Sequence, residues 1–87
     1  MPTLEENIKR LDEIFNLPEN WNEYGVSSFS KQHIEKAKKL AKDLEEFNPY
    51  VFPTANDSIQ FEAETDTQYM EWNIFPDGKI ERFVTYR

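Results

Sequence analysis

At 87 residues with a net charge of −7, no cysteine, one histidine and two glycines, the chain reads as one domain without disulfides, thiolate metal sites or a glycine-rich phosphate loop. Aromatics make up 15% of it, the large side chains needed by a domain that hides only about 60–65% of its unfolded surface. The acidic balance disfavours phosphate-backbone binding, which requires clustered Lys and Arg, and no apolar run approaches the ~18 residues of a membrane span.

Thr3-Leu4-Glu5-Glu6 has the form of a capping box. Leu4, Ile8, Leu11 and Phe15 then recur at helical spacing with Ile14 beside them, which predicts a helix from about Leu4 to Asn16, before Pro18. Residues 17–29 carry neither helical nor strand period, yet include Leu17, Trp21, Tyr24, Val26 and Phe29. This is a long connection for two helices, and its apolar members predict a loop packed against the body, with Gly25 supplying backbone freedom. Ser30 is placed to cap a second helix, with Ser28 as the alternative. Ile34, Ala37, Ala41 and Leu44 form its apolar stripe, with Leu40 and Phe47 alongside, while Lys31, Lys36, Lys38, Lys39 and Lys42 cover the outside. His33 falls in the first turn of this lysine-rich helix and is expected to be an exposed surface residue rather than a base or a ligand. Asn48-Pro49 is the stop signal.

From Tyr50 the period changes to two. Tyr50-Val51-Phe52 predicts a short strand closed by Pro53, and Pro53 to Asp57 a turn. Ser58 to Glu64 alternates, with Ile59, Phe61 and Ala63 opposed to Gln60, Glu62 and Glu64. After a tight turn at Thr65-Asp66, Met70, Trp72 and Ile74 oppose Tyr69, Glu71 and Asn73. Pro76-Asp77-Gly78 separates this strand from Lys79–Tyr86. In that last strand both sides carry apolar groups, so its inward side is left open between Ile80/Val84/Tyr86 and Glu81/Phe83/Thr85.

The fold class expected is α+β over residues 1–87: two N-terminal helices packed on one face of a three- to four-stranded antiparallel meander, ααββββ. The first residues lack the basic and apolar regions of a signal peptide, so a cytoplasmic location is expected.

No catalytic, cofactor-binding or metal-ligating set emerges. His33 has no second His or Cys to complete a hydrolytic or zinc site, and Ser27, Ser28 and Ser30 have no activating base nearby. Carboxylates are the abundant reactive groups. Paired carboxylates serve glycoside hydrolysis or cation binding only in a cleft, and alternating Glu on a strand is ordinarily a solvated face. The candidate partner-binding residues are Gln60, Glu62, Glu64, Tyr69, Glu71 and Asn73 on that face, where tyrosine among acids suits a basic protein patch. Trp21 and Tyr24 in the loop are a second candidate, weighed against a plug between helices and sheet.

The segment Leu17-Pro18-Glu19-Asn20-Trp21-Asn22-Glu23-Tyr24-Gly25-Val26, followed by a Ser-capped helix and by Phe75-Pro76-Asp77-Gly78-Lys79-Ile80-Glu81, resembles a group of small bacterial proteins of unknown function. These carry an LPxxWDGYGA-like segment and a C-terminal strand–DG–strand hairpin. Asn22 stands where that pattern has Asp, and Glu23 where it has Gly. The resemblance implies a setting among mobile-element, phage or toxin–antitoxin-like genes, and it assigns no catalytic residue.

Together these readings lead to an expected non-enzymatic protein that binds a basic protein partner without cofactor. It would act as an antitoxin, immunity factor or phage-type inhibitor by occluding a surface, with acidic mimicry of nucleic acid as a variant. Direct nucleic-acid and membrane binding are not expected. The alternatives are a small enzyme or ligand-binding domain using sheet carboxylates, and a self-associating structural module, with a homodimer as one form.

Overall fold

The computed structural model describes residues 2–17 and 29–86. Helix α1 spans Leu4–Phe15 and opens on the expected box: Glu6 N donates to Thr3 Oγ1 at 3.2 Å and Thr3 N to the Glu6 carboxylate at 3.1 Å. The Thr3 N–H, and after it the Thr3 hydroxyl, favour the charged form and hold the Glu6 carboxyl below its usual range. Asn7, Leu11 and Ile14 form the buried face. Phe15 does not share it; one residue beyond Ile14, it turns about 100° off the stripe and is 42% exposed.

Helix α2 spans Lys31–Asp43, with Ser30 Oγ accepting from His33 N at 3.0 Å. Its buried face is His33, Ile34, Ala37 and Ala41. The expectation for His33 is thereby corrected. It is 5% exposed, its Nε2 lies 2.7 Å from the Ile74 carbonyl oxygen, and its ring packs against Phe29 at 5.5 Å. The cause is spacing: His33 stands four residues before Ala37 and so begins the apolar stripe. A 3-10 turn at Glu45–Phe47 follows, then Asn48 in the left-handed region and a buried Pro49. Asn7 Nδ2 donates to the Pro49 carbonyl at 2.8 Å and so ties α1 to the start of the sheet.

Strands β1 (Tyr50–Pro53), β2 (Ile59–Glu64), β3 (Gln68–Ile74) and β4 (Ile80–Tyr86) form one antiparallel sheet in sequence order. Each connection uses its own side chains. Thr54 Oγ1 and Ser58 Oγ meet at 2.6 Å around a left-handed Asp57. Thr65 Oγ1 accepts from Thr67 N and Gln68 N, and Asp77 accepts from Lys79 N beside Gly78 at φ 89°.

Two helices therefore pack against a four-stranded antiparallel sheet in ααββββ order, α1 leaning on β1 and α2 on β3. The core lies between the layers: Leu11, Ile14, Phe29, Ile34, Ala37 and Ala41 meet Val51, Ile59, Phe61, Met70, Trp72 and Ile74. Trp72 faces inward, 7% exposed, with its ring 6.0 Å from that of Phe47. The register settles the side of β4 left open by its sequence. Ile80, Arg82 and Val84 pair with Ile74, Trp72 and Met70, so they share the inner face, and Glu81, Phe83 and Thr85 point outward. Of β4 only Val84 packs against the core, while Ile80, Phe83 and Tyr86 are exposed.

Candidate functional site: the outer face of the sheet

The outer face is built by the two-residue period of the strands. Because Ile59, Phe61 and Ala63 are drawn into the core, Gln60, Glu62 and Glu64 must point away, and the same holds for Tyr69, Glu71 and Asn73 opposite Met70, Trp72 and Ile74. The register sets these six residues as three successive cross-strand pairs: Gln60 with Asn73, Glu62 with Glu71, and Glu64 with Tyr69. Six of the eight predicted binding residues thus stand together on one surface. Trp21 and Tyr24 lie outside the described residues.

The middle pair places two carboxylates directly opposite each other, an arrangement that is destabilising unless something mediates it. Tyr69 does so. Its hydroxyl lies 2.6 Å from Glu71 Oε1 and 3.1 Å from Glu62 Oε2, and Gln60 Nε2 donates to Glu71 Oε1 at 3.3 Å. Burial first, then these two hydrogen bonds and the charge of both carboxylates, push the Tyr69 phenol well above its ordinary pKa. The phenol therefore remains a proton donor to the pair and is no candidate for a base at neutral pH.

Two flanking residues complete the row: Tyr50, which the sequence did not single out, and Phe83, for which it left Arg82 as the alternative on the next strand. Tyr50 pairs with Glu62, and Phe83 pairs with Glu71, so a single line across the sheet reads Tyr50, Glu62, Glu71, Phe83. Both aromatics are 54% exposed. Tyr50 was legible in principle, since a buried Val51 obliges its neighbour to face outward. Phe83 was not, because β4 offers apolar groups on both sides. The outward strand positions hold Glu62, Glu64, Glu71 and Glu81 and no Lys or Arg. At one end of the row a half-open groove of about 320 Å³ is walled by Phe47, Tyr50 and Ala63 with Asn48, Glu62 and Glu64.

Chemically, this is a surface of fixed acceptors between exposed rings. Among the described residues no three His, Asp or Glu side chains converge as a metal site, and no helix is long and apolar enough to cross a membrane. Comparison with protein-family models, with curated proteins and with solved structures gives no match.

Proposed function

We propose that this domain is a non-catalytic protein-binding module that lays the outer face of its sheet on a basic surface of a partner, in the manner of an antitoxin, immunity factor or phage-type inhibitor. The observation that carries this reading is the row Tyr50–Glu62–Glu71–Phe83 on a face without a basic strand residue. Exposed aromatics give contact area at low entropy cost, and carboxylates held by Tyr69 and Gln60 lose little freedom when a Lys or Arg arrives. The half-open groove beside Tyr50 offers one such side chain an apolar wall for its stem and a carboxylate for its head. The occluding role draws on the motif resemblance of residues 17–26; the docking chemistry draws on the face.

The test is affinity capture from the native host with the wild-type chain and with a Glu62→Gln/Glu71→Gln double variant. A basic polypeptide retained by the wild type and released about tenfold or more readily from the double variant supports the reading, since two charge-assisted contacts of this kind are worth that much or more. Equal retention by both chains overturns it. Adding duplex DNA during capture separates the nucleic-acid mimic from an ordinary basic partner, because only a nucleic-acid-binding partner is competed away.

A further inference from the structure

The two edges of the sheet are not equivalent. β1 is four residues long, ends at Pro53, which has no N–H, and follows Pro49, whose carbonyl is taken by Asn7. β4 is seven residues long and contains no proline, and its register with β3 runs unbroken from Ile80 to Tyr86. Among the described residues its outer side has no strand beside it. Phe75 N donates to Lys79 O at 2.9 Å in the hairpin, which makes these two a hydrogen-bonded pair. Alternation along the ladder then turns the backbone N–H and C=O of Glu81, Phe83 and Thr85 toward β3, and those of Ile80, Arg82, Val84 and Tyr86 toward the open edge. The other hairpin sets the same phase: Thr65 N donates to Gln68 O, so Gln68, Met70, Trp72 and Ile74 serve β2 and leave Tyr69, Glu71 and Asn73 for β4.

Among the described residues no strand pairs with this edge, whose inner face carries the charged Arg82, and an edge of this length is a template for another strand. We infer that β4 receives an added strand from the partner, and that this strand is an extended segment with Lys or Arg at alternate positions and apolar residues between them. This rests on the basic partner proposed above. Charge complementarity selects the occupant. The outward side chains of an added strand would lie beside Glu81, Phe83 and Thr85, with Glu71 one strand further in and Glu62 and Glu64 two strands further in, so basic residues fit there through Glu81 directly and through the field of the acidic face. Its other side would meet Ile80, Arg82, Val84 and Tyr86, where the exposed Ile80 and Tyr86 ask for apolar cover beside the exposed Arg82. A second copy fits less well. A symmetric pairing centred on Phe83, the midpoint of the strand, would set Phe83 against Phe83 and Arg82 opposite Val84, but it would bring a further net −7 onto an acidic chain.

The experiment uses the full chain, labelled for amide NMR, and a synthetic blocked peptide of alternating Lys and Val matched in length to β4. Three controls accompany it: the same peptide N-methylated at every valine, a Glu–Val analogue, and the Glu62→Gln/Glu71→Gln chain. Strand addition is supported if the Lys–Val peptide slows hydrogen exchange at Ile80, Arg82, Val84 and Tyr86 and the N-methylated peptide binds about tenfold or more weakly, the loss expected for two or more ladder bonds. It is overturned if the N-methylated peptide binds equally well, if the Glu–Val analogue binds as tightly, if no peptide binds, or if the four amides are protected without peptide in a concentration-dependent way, which would make the occupant a second copy. The double variant separates the two ideas. Binding that needs Glu62 and Glu71 but ignores N-methylation keeps the face and removes the added strand.

Discussion

Asn7 and His33 are polar side chains that the core holds for single bonds, Asn7 Nδ2 to the Pro49 carbonyl and His33 Nε2 to the Ile74 carbonyl. Replacing Asn7 by Asp exchanges the donor for an acceptor facing a carbonyl, which should cost about 2–4 kcal/mol at neutral pH. The introduced carboxyl is favoured in its protonated form by the fold, so its folded pKa lies above the unfolded ~3.9. Stability of Asn7→Asp is accordingly regained below that unfolded value and lost as pH rises through the folded one. Urea midpoints at acidic and neutral pH check this, and a pH-independent deficit contradicts it. Tyr69 gives the second residue-scale test. Its phenol is favoured protonated, so its contribution is present below the ordinary ~10 of a tyrosine and lost as pH rises through its higher folded value. Subtracting the alkaline absorbance titration of Tyr69→Phe from that of the wild type should leave one component that ionises above the ordinary range. A component titrating near the ordinary value removes the bridge between Glu62 and Glu71. Neither role was visible beforehand. Asn7 lies one turn before Leu11, but nothing in its identity announces a partner 42 residues away, and the lysines around His33 disguised its place on the stripe.

At the scale of elements, the start of α1, the Ser30 cap and the Asp77-Gly78 turn were legible because each depends on neighbours in sequence. Gly78 at φ 89° shows why: a side chain there is strained whatever space it has, and a Cβ would approach the Lys36 Nζ at 3.2 Å. Gly78→Ala should therefore cost about 1–2 kcal/mol, chiefly from the backbone, since a lysine end can move aside. Thermal or urea unfolding measures it, and no loss of stability would mean that the turn relaxes to another form. The clean alternation of β2 and β3 made the outer face legible residue by residue. The inward side of β4 could not be chosen from a strand with apolar groups on both sides, and it took the pairing with Met70, Trp72 and Ile74 to choose it. The same pairing predicts alternating exchange in the free chain: the amides of Arg82 and Val84 should exchange faster than those of Glu81, Phe83 and Thr85. Uniform protection along β4 would show that its edge is covered within the chain.

At the scale of the whole molecule, charge acts in two directions that salt can separate. Net −7 on 87 residues disfavours the compact state by self-repulsion. The Lys38–Asp12 ion pair between the helices does little to offset it, because both groups reach solvent and pairs of that kind contribute about 0–1 kcal/mol. Added salt screens the repulsion over distances beyond about 8–10 Å and screens the docking attraction as well. The fold and the function should then respond oppositely. Raising sodium chloride from low to moderately high concentration should lift the melting temperature of the free chain, and a gain of about 1 kcal/mol would appear as about 4–8 °C for a domain of this size. Over the same range, association with a basic partner through the Glu62–Glu71 row should weaken, chiefly through a slower on-rate. Calorimetric melting and stopped-flow association across one salt series decide the matter. If both quantities rise together, the contact is made by apolar surface such as Ile80, Phe83 and Tyr86, and the carboxylates are bystanders to it.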